Sequence, residues 1–274
     1  MFPHLFTIPA FDLIGRHFGP ISVPSYGLIL FLAFLAGLWI VARQARRAAL
    51  DSTLMTDLAI YALIGGLIGA KLLLVFVDRR AYIYAPRELL SVFFSGGVFY
   101  GGLIGGIVAA IYYIRKHKIP FWPALDVLAP GVIIGQAVGR FACLAAGCCY
   151  GRPTTVPWAI IYRNVAAFNA VGTPLDTPVH PSPIYESMAS VGILLLLLWI
   201  AGRKRFHGQV TVSYVVLYSA TRFILEYFRG DLVRGFVFGG VLSTSQFISL
   251  LLLVAALAAT PYLMKKNRIE APAT

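Results

Sequence analysis

The sequence predicts an all-α integral membrane protein, a seven-transmembrane-helix bundle with a small extracytoplasmic head, on three observations. Of 274 residues, 59% are hydrophobic and only 12% charged, with a mean hydropathy of +0.79, a composition that belongs to membrane bundles rather than soluble globules. Seven apolar runs recur along the chain, each close to the ~20 residues a bilayer requires. The basic residues gather in short clusters between those runs, so the net charge of +12 reads as loop charge that sets orientation and meets anionic headgroups of the lipid bilayer. That distribution, with no recognisable nucleic-acid-binding module, argues against nucleic acid as a partner.

Residues 1–25 carry Pro3, Pro9, Pro20 and Pro24, which prevent a long helix, and Phe2, Phe6, Phe11 and Phe18, which supply apolar faces. They read as an interfacial segment. The first apolar run begins after Pro24 with no basic region before it, so no cleavable signal is expected and the first span should stay as an anchor. The spans fall at about 26–41, 57–77, 97–114, 124–147, 182–201, 210–228 and 243–264. Residues 148–181, rich in Pro, Gly, Thr and Asn, are too polar to cross and form the head. The whole of 1–274 is expected to be a single membrane domain.

The positive-inside rule sets the orientation. Arg43, Arg46, Arg47, Arg115, Lys116, Lys118, Arg203, Lys204, Arg205, Lys265, Lys266 and Arg268 all fall on one side of seven spans. Arg16, Arg79, Arg80, Arg87, Arg152, Arg163, Arg229 and Arg234 fall on the other. This bias puts the N-terminus and the 148–181 head outside and the C-terminus in the cytoplasm. Lys71, Arg140 and Arg222 lie within spans.

The intramembrane arginines are the first candidates for chemistry. Arg140 directly follows Gly131, Gly135 and Gly139, whose fourfold spacing makes a flat helical stripe open to close approach. A guanidinium in such a place faces a bundle interior or wet cavity and pairs with something anionic. Tyr218, Arg222, Glu226 and Arg229 are spaced to share one face of the sixth helix near its outer end. Either Arg222 and Glu226 merely neutralise each other, or Glu226 orients Arg222 toward a ligand phosphate. A smaller echo, Gly65-Gly66-Leu-Ile-Gly69 against Gly101-Gly102-Leu-Ile-Gly105, reads best as two closely packed helices.

Three further stretches stand out. In His180-Pro-Ser182-Pro183-Ile-Tyr185-Glu186, Ser182 reads as N-cap and Pro183 as first helical residue, with Glu186 complementing the helix dipole. His180, just outside, reads as a donor, a base or a surface residue. Tyr100-Gly101-Gly102 and Tyr26 sit at span starts, where tyrosine is ordinarily an aromatic-belt residue, while the glycines admit another backbone or a lipid headgroup. Cys143, Cys148 and Cys149 cluster at the outer end of the fourth span without the paired C-x-x-C sets of a zinc site. An oxidised pair, packed thiols and a nucleophile all remain open readings, and no metal or cofactor is expected.

Taken as an ordered set, Tyr26-Gly27, Gly96-Gly97-Val-Phe-Tyr100-Gly-Gly-Leu-Ile-Gly105, Gly139-Arg140, His180-Pro-Ser-Pro-Ile-Tyr-Glu186 and Tyr218-x-x-x-Arg222-x-x-x-Glu226-x-x-Arg229 resemble the bacterial prolipoprotein diacylglyceryl transferases over about residues 9–264. The resemblance implies a seven-span inner-membrane enzyme that moves the diacylglyceryl group of phosphatidylglycerol onto the lipobox cysteine thiol of a prolipoprotein, releasing glycerol-1-phosphate. It implies catalytic roles for Arg140, Arg222, Tyr100 and Glu226. Substrate binding would fall to Tyr26, Gly101, Gly102, Gly151, His180, Tyr185, Glu186, Tyr218 and Arg229. Two departures mark this chain. Members commonly carry His where Tyr100 stands. The family's Gly-Arg-x-Gly-Asn-Phe-x-Asn-x-Glu-x-x-Gly signature reads Gly139-Arg140-Phe-Ala-Cys143-Leu-Ala-Ala146-Gly-Cys148-Cys-Tyr-Gly151, without its Asn and Glu. The competing readings are a lipid transferase with a different acceptor and a non-enzymatic protein that binds or transports an anionic lipid or solute.

Overall fold

The computed structural model describes residues 4–8, 11–13, 16–18, 21–79, 97–165, 168–169, 172–230 and 235–269. Phe2, Pro3, Pro9, Pro20, Arg80, Arg87, Gly96 and Arg234, all used in the sequence reading, lie outside them. Seven long helices account for most of the described chain: α1 (Ser25–Arg47), α2 (Ser52–Val77), α3 (Phe99–Lys116), α4 (Phe121–Ala146), α5 (Ser182–Ala201), α6 (Gln209–Leu225) and α7 (Thr244–Lys266). Of these, α1, α2, α4, α5 and α7 are long and apolar enough to cross a bilayer. Large apolar side chains stand exposed along them, including Trp39, Leu67, Leu72, Phe76, Leu195 and Trp199, a surface that only lipid tails would cover without penalty. The chain is a mostly helical, multi-pass membrane protein.

The N-terminal segment is paired in extended form. Its described residues form two antiparallel strand pairs, β1 (His4–Ile8) with β4 (Ile21–Pro24) and β2 (Phe11–Leu13) with β3 (Arg16–Phe18). The prolines do prevent a helix, but the β-branched and aromatic residues between them favour extended pairing.

Two compact units divide the chain, residues 41–128 and residues 1–40 with 129–274. In the first, Asp51 caps α2 by accepting from Thr53 N and Leu54 N at 2.7 and 3.3 Å, so the helix starts five residues before the expected 57. Gly65, Gly69, Gly101 and Gly105 let α2 and α3 touch backbone to backbone. A Cβ on Gly101 would meet the Gly69 carbonyl, and one on Gly105 the Gly65 carbonyl. At the other end Met55, Leu58, Tyr113, Ile114, Ala124 and Val127 are buried together.

In the second unit the glycine stripe of α4 lies along α1. A Cβ on Gly37 would stand 3.0 Å from the Gly131 carbonyl oxygen, one on Gly135 3.7 Å from that of Ala33, and one on Gly139 3.6 Å from the Leu30 side chain. Ile133, Ile193, Leu194, Leu197 and Val210 form the apolar core between α4, α5 and α6. Ser187 Oγ on α5 donates to the Ala137 carbonyl at 2.8 Å, a polar tie of the kind that holds helices together in lipid.

Three connecting segments are laced together beyond these helices. Gly151 N donates to His180 O at 3.1 Å and His180 N to Arg152 O at 3.0 Å, while on the other edge Arg152 N donates to Phe228 O at 2.9 Å and Gly230 N to Tyr150 O at 3.1 Å. Gly151 is required by this lacing, because a Cβ there would collide with His180 and the Ser182 hydroxyl.

Two boundary expectations need correction. Pro181, not Ser182, is the N-cap of α5, and no side chain caps it; the Ser182 hydroxyl donates instead to Phe228 O at 3.3 Å, drawn into the lacing. The sixth helix ends at Leu225, passes through a 3-10 turn at Glu226–Phe228 and reaches Arg229 in extended backbone. Arg229 therefore does not continue the helical face on which the spacing placed it.

Candidate active site

Four elements of the second unit carry the ionic residues inward. Arg140 stands on the last two turns of α4, Glu186 on the second turn of α5, Arg222 near the end of α6, and Glu226 and Arg229 on the turn that follows. Glu186 is the centre of one cluster: its Oε2 lies 2.5 Å from Arg140 Nη2 and its Oε1 2.6 Å from Arg229 Nη1. Beyond complementing the helix dipole, Glu186 has both its oxygens engaged by guanidiniums from other segments. Two arginines and one carboxylate leave a positive charge over among these three side chains. Glu186 and Arg229 are buried, whereas the Arg140 side chain keeps 22% exposure, which makes it the most open ionic group of the set.

The second cluster is local. Arg222 Nη1 lies 2.7 Å from Glu226 Oε2, one helical turn on. Glu226 Oε1 also accepts from Ser243 Oγ at 2.8 Å, and Arg222 Nη2 donates to Ser245 Oγ at 3.3 Å. Ser243 is the N-cap of α7 in a capping box with Gln246, so one residue starts that helix and holds the carboxylate that holds Arg222.

Both clusters meet at one enclosed cavity, lined by Gln136, Arg140, Glu186, Ser190, Ile193, Tyr218, Thr221, Arg222 and Leu225. At about 20 Å³ it offers room for roughly one water molecule. Tyr218 lines it and stacks on Tyr214 at 5.7 Å; Tyr214 in turn donates to Gln136 Oε1 at 3.4 Å.

His180, Tyr185 and Phe228 form an aromatic group beside the lacing, with His180 Nδ1 3.2 Å from the Tyr185 hydroxyl and Trp158 Nε1 donating to that hydroxyl at 2.6 Å. Tyr26, exposed on the first turn of α1, lies within electrostatic range of Arg140 and the three cysteines. Tyr100, Gly101 and Gly102 belong to α3 in the other unit. There Tyr100 is half exposed and packs edge-on against Phe99 at 5.8 Å, Gly101 is buried on α2, and Gly102 faces the Gly66 carbonyl.

The sequence reading missed Ser243, Ser245, Gln136 and the contact of Arg140 Nη1 with Cys149 Sγ at 3.9 Å. Only Ser243 left a readable trace, the Ser243-x-x-Gln246 capping pattern. Cys148 Sγ donates to Cys143 O at 3.6 Å, and the neighbouring Cys143 and Cys148 thiols hold the Cys149 thiol well below the usual range, with Arg229 assisting against the cost of burial. The same contacts push Cys148 up. Burial pushes the Tyr162 hydroxyl up to about 12, and the neighbouring thiols add to the shift.

Fold and site together define a polytopic membrane protein with paired guanidiniums at an internal cavity, an arrangement suited to an anionic headgroup. The family model of the prolipoprotein diacylglyceryl transferases matches residues 14–262, and the chain belongs to that family. It is 34% identical over 244 residues to a phosphatidylglycerol–prolipoprotein diacylglyceryl transferase of Clostridium tetani, covering 89% of this chain and 92% of the relative. A Vibrio cholerae protein of the same name is 33% identical, with 88% of each chain covered. One of Synechococcus elongatus is 32% identical over 82% of this chain and 79% of its own.

Proposed function

We propose that this chain transfers the diacylglyceryl group of phosphatidylglycerol to the lipobox cysteine thiol of a prolipoprotein, releasing glycerol-1-phosphate. The observation that carries the reading is the arrival of Arg140 and Arg222, from different helices, at one cavity. The acceptor thiol gives its proton to solvent, the thiolate sulfur bonds to the glyceryl carbon that bears the phosphate, the C–O bond breaks, and glycerol-1-phosphate leaves with the electron pair. Arg140 and Arg222 hold that phosphate and stabilise the charge growing on it, with planar donors suited to its oxygens. A thiol of pKa about 8.5 is a few per cent ionised near neutrality, so stabilising the leaving group matters more than a strong base.

Glu226 orients Arg222, and Glu186 holds Arg140 against Arg229. Tyr26 and Tyr218 position the headgroup, and His180 and Tyr185 border the site by their aromatic packing. Gly151 serves by letting the segments close, and Gly101 and Gly102 by letting α3 approach α2. A phosphate is larger than the cavity, so its lining must part on binding, and Arg140 has the most room to move.

In this reading the chain is one membrane domain of seven spans in the bacterial inner membrane. Residues 1–25 lie at the interface, 148–181 form the outer head, and the C-terminus faces the cytoplasm. Cysteine labelling from each side at positions near 153 and 266 tests that orientation. The activity is tested with the full chain in vesicles containing phosphatidylglycerol labelled in both acyl chains. A lipobox peptide should gain a thioether-linked diacylglyceryl group by mass spectrometry, and failure to gain it, with vesicle-bound folded protein, sinks the assignment.

A further inference from the structure

We propose that Cys143, Cys148 and Cys149 form a binding site for one soft, low-coordinate metal ion, copper(I) in preference to zinc. Their sulfur atoms all lie within 4.8 Å of one another. Three sulfurs set about 2.3 Å from a central ion in one plane stand about 4.0 Å apart, so the observed spacing needs only a small inward shift. Soft thiolates suit copper(I) and zinc alike, but zinc in protein sites is four-coordinate and would have to recruit a water as its fourth ligand, whereas copper(I) is satisfied by three sulfurs alone. Among the described residues no histidine or carboxylate joins the group, which leaves a three-sulfur set.

The backbone builds this set rather than leaving it to chance. Cys143 stands on the last turn of α4, and the chain then reverses through Gly147 at φ 76° and Cys149 at φ 60°. The latter is a conformation that residues other than glycine avoid. Cys148 N donates to Cys143 O at 3.1 Å, and the buried Thr173 hydroxyl pins the reversal by donating to Gly147 O at 2.6 Å. Tyr162, fully buried and with no hydrogen-bond partner for its hydroxyl among the described residues, lies within electrostatic range of all three sulfurs.

Arg140 stands 3.9 Å from Cys149 Sγ, and Arg229 acts on the same sulfur. The single positive charge left over in their cluster with Glu186 offsets one of the two negative charges of a three-thiolate copper(I) unit. On binding, the thiols still protonated pass their protons to solvent, Cys149 enters as the thiolate, and three Cu–S bonds form; copper stays monovalent and no electron moves. The cysteines do not line the cavity between Arg140 and Arg222, so the site stands whether or not the chain transfers lipid.

The test uses the full chain in detergent, reduced and then freed of reductant without air, titrated with copper(I) against a chromophoric copper(I) chelator. One ion per chain is expected, with three sulfurs about 2.3 Å away by X-ray absorption. Cys149→Ser should weaken binding about 100-fold, and the triple Cys143→Ser, Cys148→Ser, Cys149→Ser chain should bind none. Undiminished binding in the triple variant means an adventitious ion only and overturns the site. So does a wild-type chain that takes up no copper(I), or one that shows two sulfurs. Displacement of copper(I) by equimolar zinc overturns the choice of metal. Should the variants misfold, wild-type chain with alkylated thiols replaces them and must lose the ion.

Discussion

The two ionic clusters use the same side-chain types and are assembled in opposite ways. Arg140, Glu186 and Arg229 come from three separate segments, and the link between Glu186 and Arg229 spans 43 positions. Arg222 and Glu226 are neighbours one turn apart, braced by Ser243 and Ser245. The first cluster is a crosslink with a charge left over; the second is a neutral local pair. Removing a member of the first should therefore cost both folding and ligand binding, whereas the second should be separable into ligand binding alone.

Glu186→Gln tests the crosslink most severely, since it leaves the buried Arg229 guanidinium without its carboxylate and facing the half-buried one of Arg140, at a cost of up to about 3–5 kcal/mol. A clearly lowered melting temperature in detergent is expected, partly restored when Arg229→Gln is added. An unchanged temperature would remove the distinction. Arg140→Gln should lower diacylglyceryl transfer to a lipobox peptide by about 10²- to 10³-fold, the usual cost of losing a donor to developing charge. Full transfer in that variant would break the mechanism. Arg222→Lys keeps the charge but loses the planar fork, so transfer should fall roughly tenfold with little change in melting. A large melting shift there would show that the pair is also a crosslink. Smallest of all, Ser243→Ala removes a helix cap and a brace on Glu226, with a loss of about 1 kcal/mol in denaturation.

How much of this could be read in advance follows the same division. Helices were legible wherever hydropathy persisted, and α5 matched its expected span because proline and glycine punctuate both ends. The end of α1 at Arg47 was legible too, because the basic cluster Arg43, Arg46 and Arg47 closes the apolar run. The local Arg222–Glu226 pair was legible because helical spacing is a sequence property. Glu186's partners were not, because only the folded chain brings α4 and residue 229 to α5. The lacing strands were hidden for the same reason, their hydrogen bonds being made by backbone groups that no side-chain pattern announces.

That lacing sets a rule for how the chain can vary. The run 150–152 is bonded along both edges at once, to residue 180 on one side and to 228–230 on the other. A residue gained or lost inside it would put two seams out of frame together and swing Gly151 away from the only spot its bare backbone fits. These three positions are therefore fixed in number, and Gly151 in kind as well.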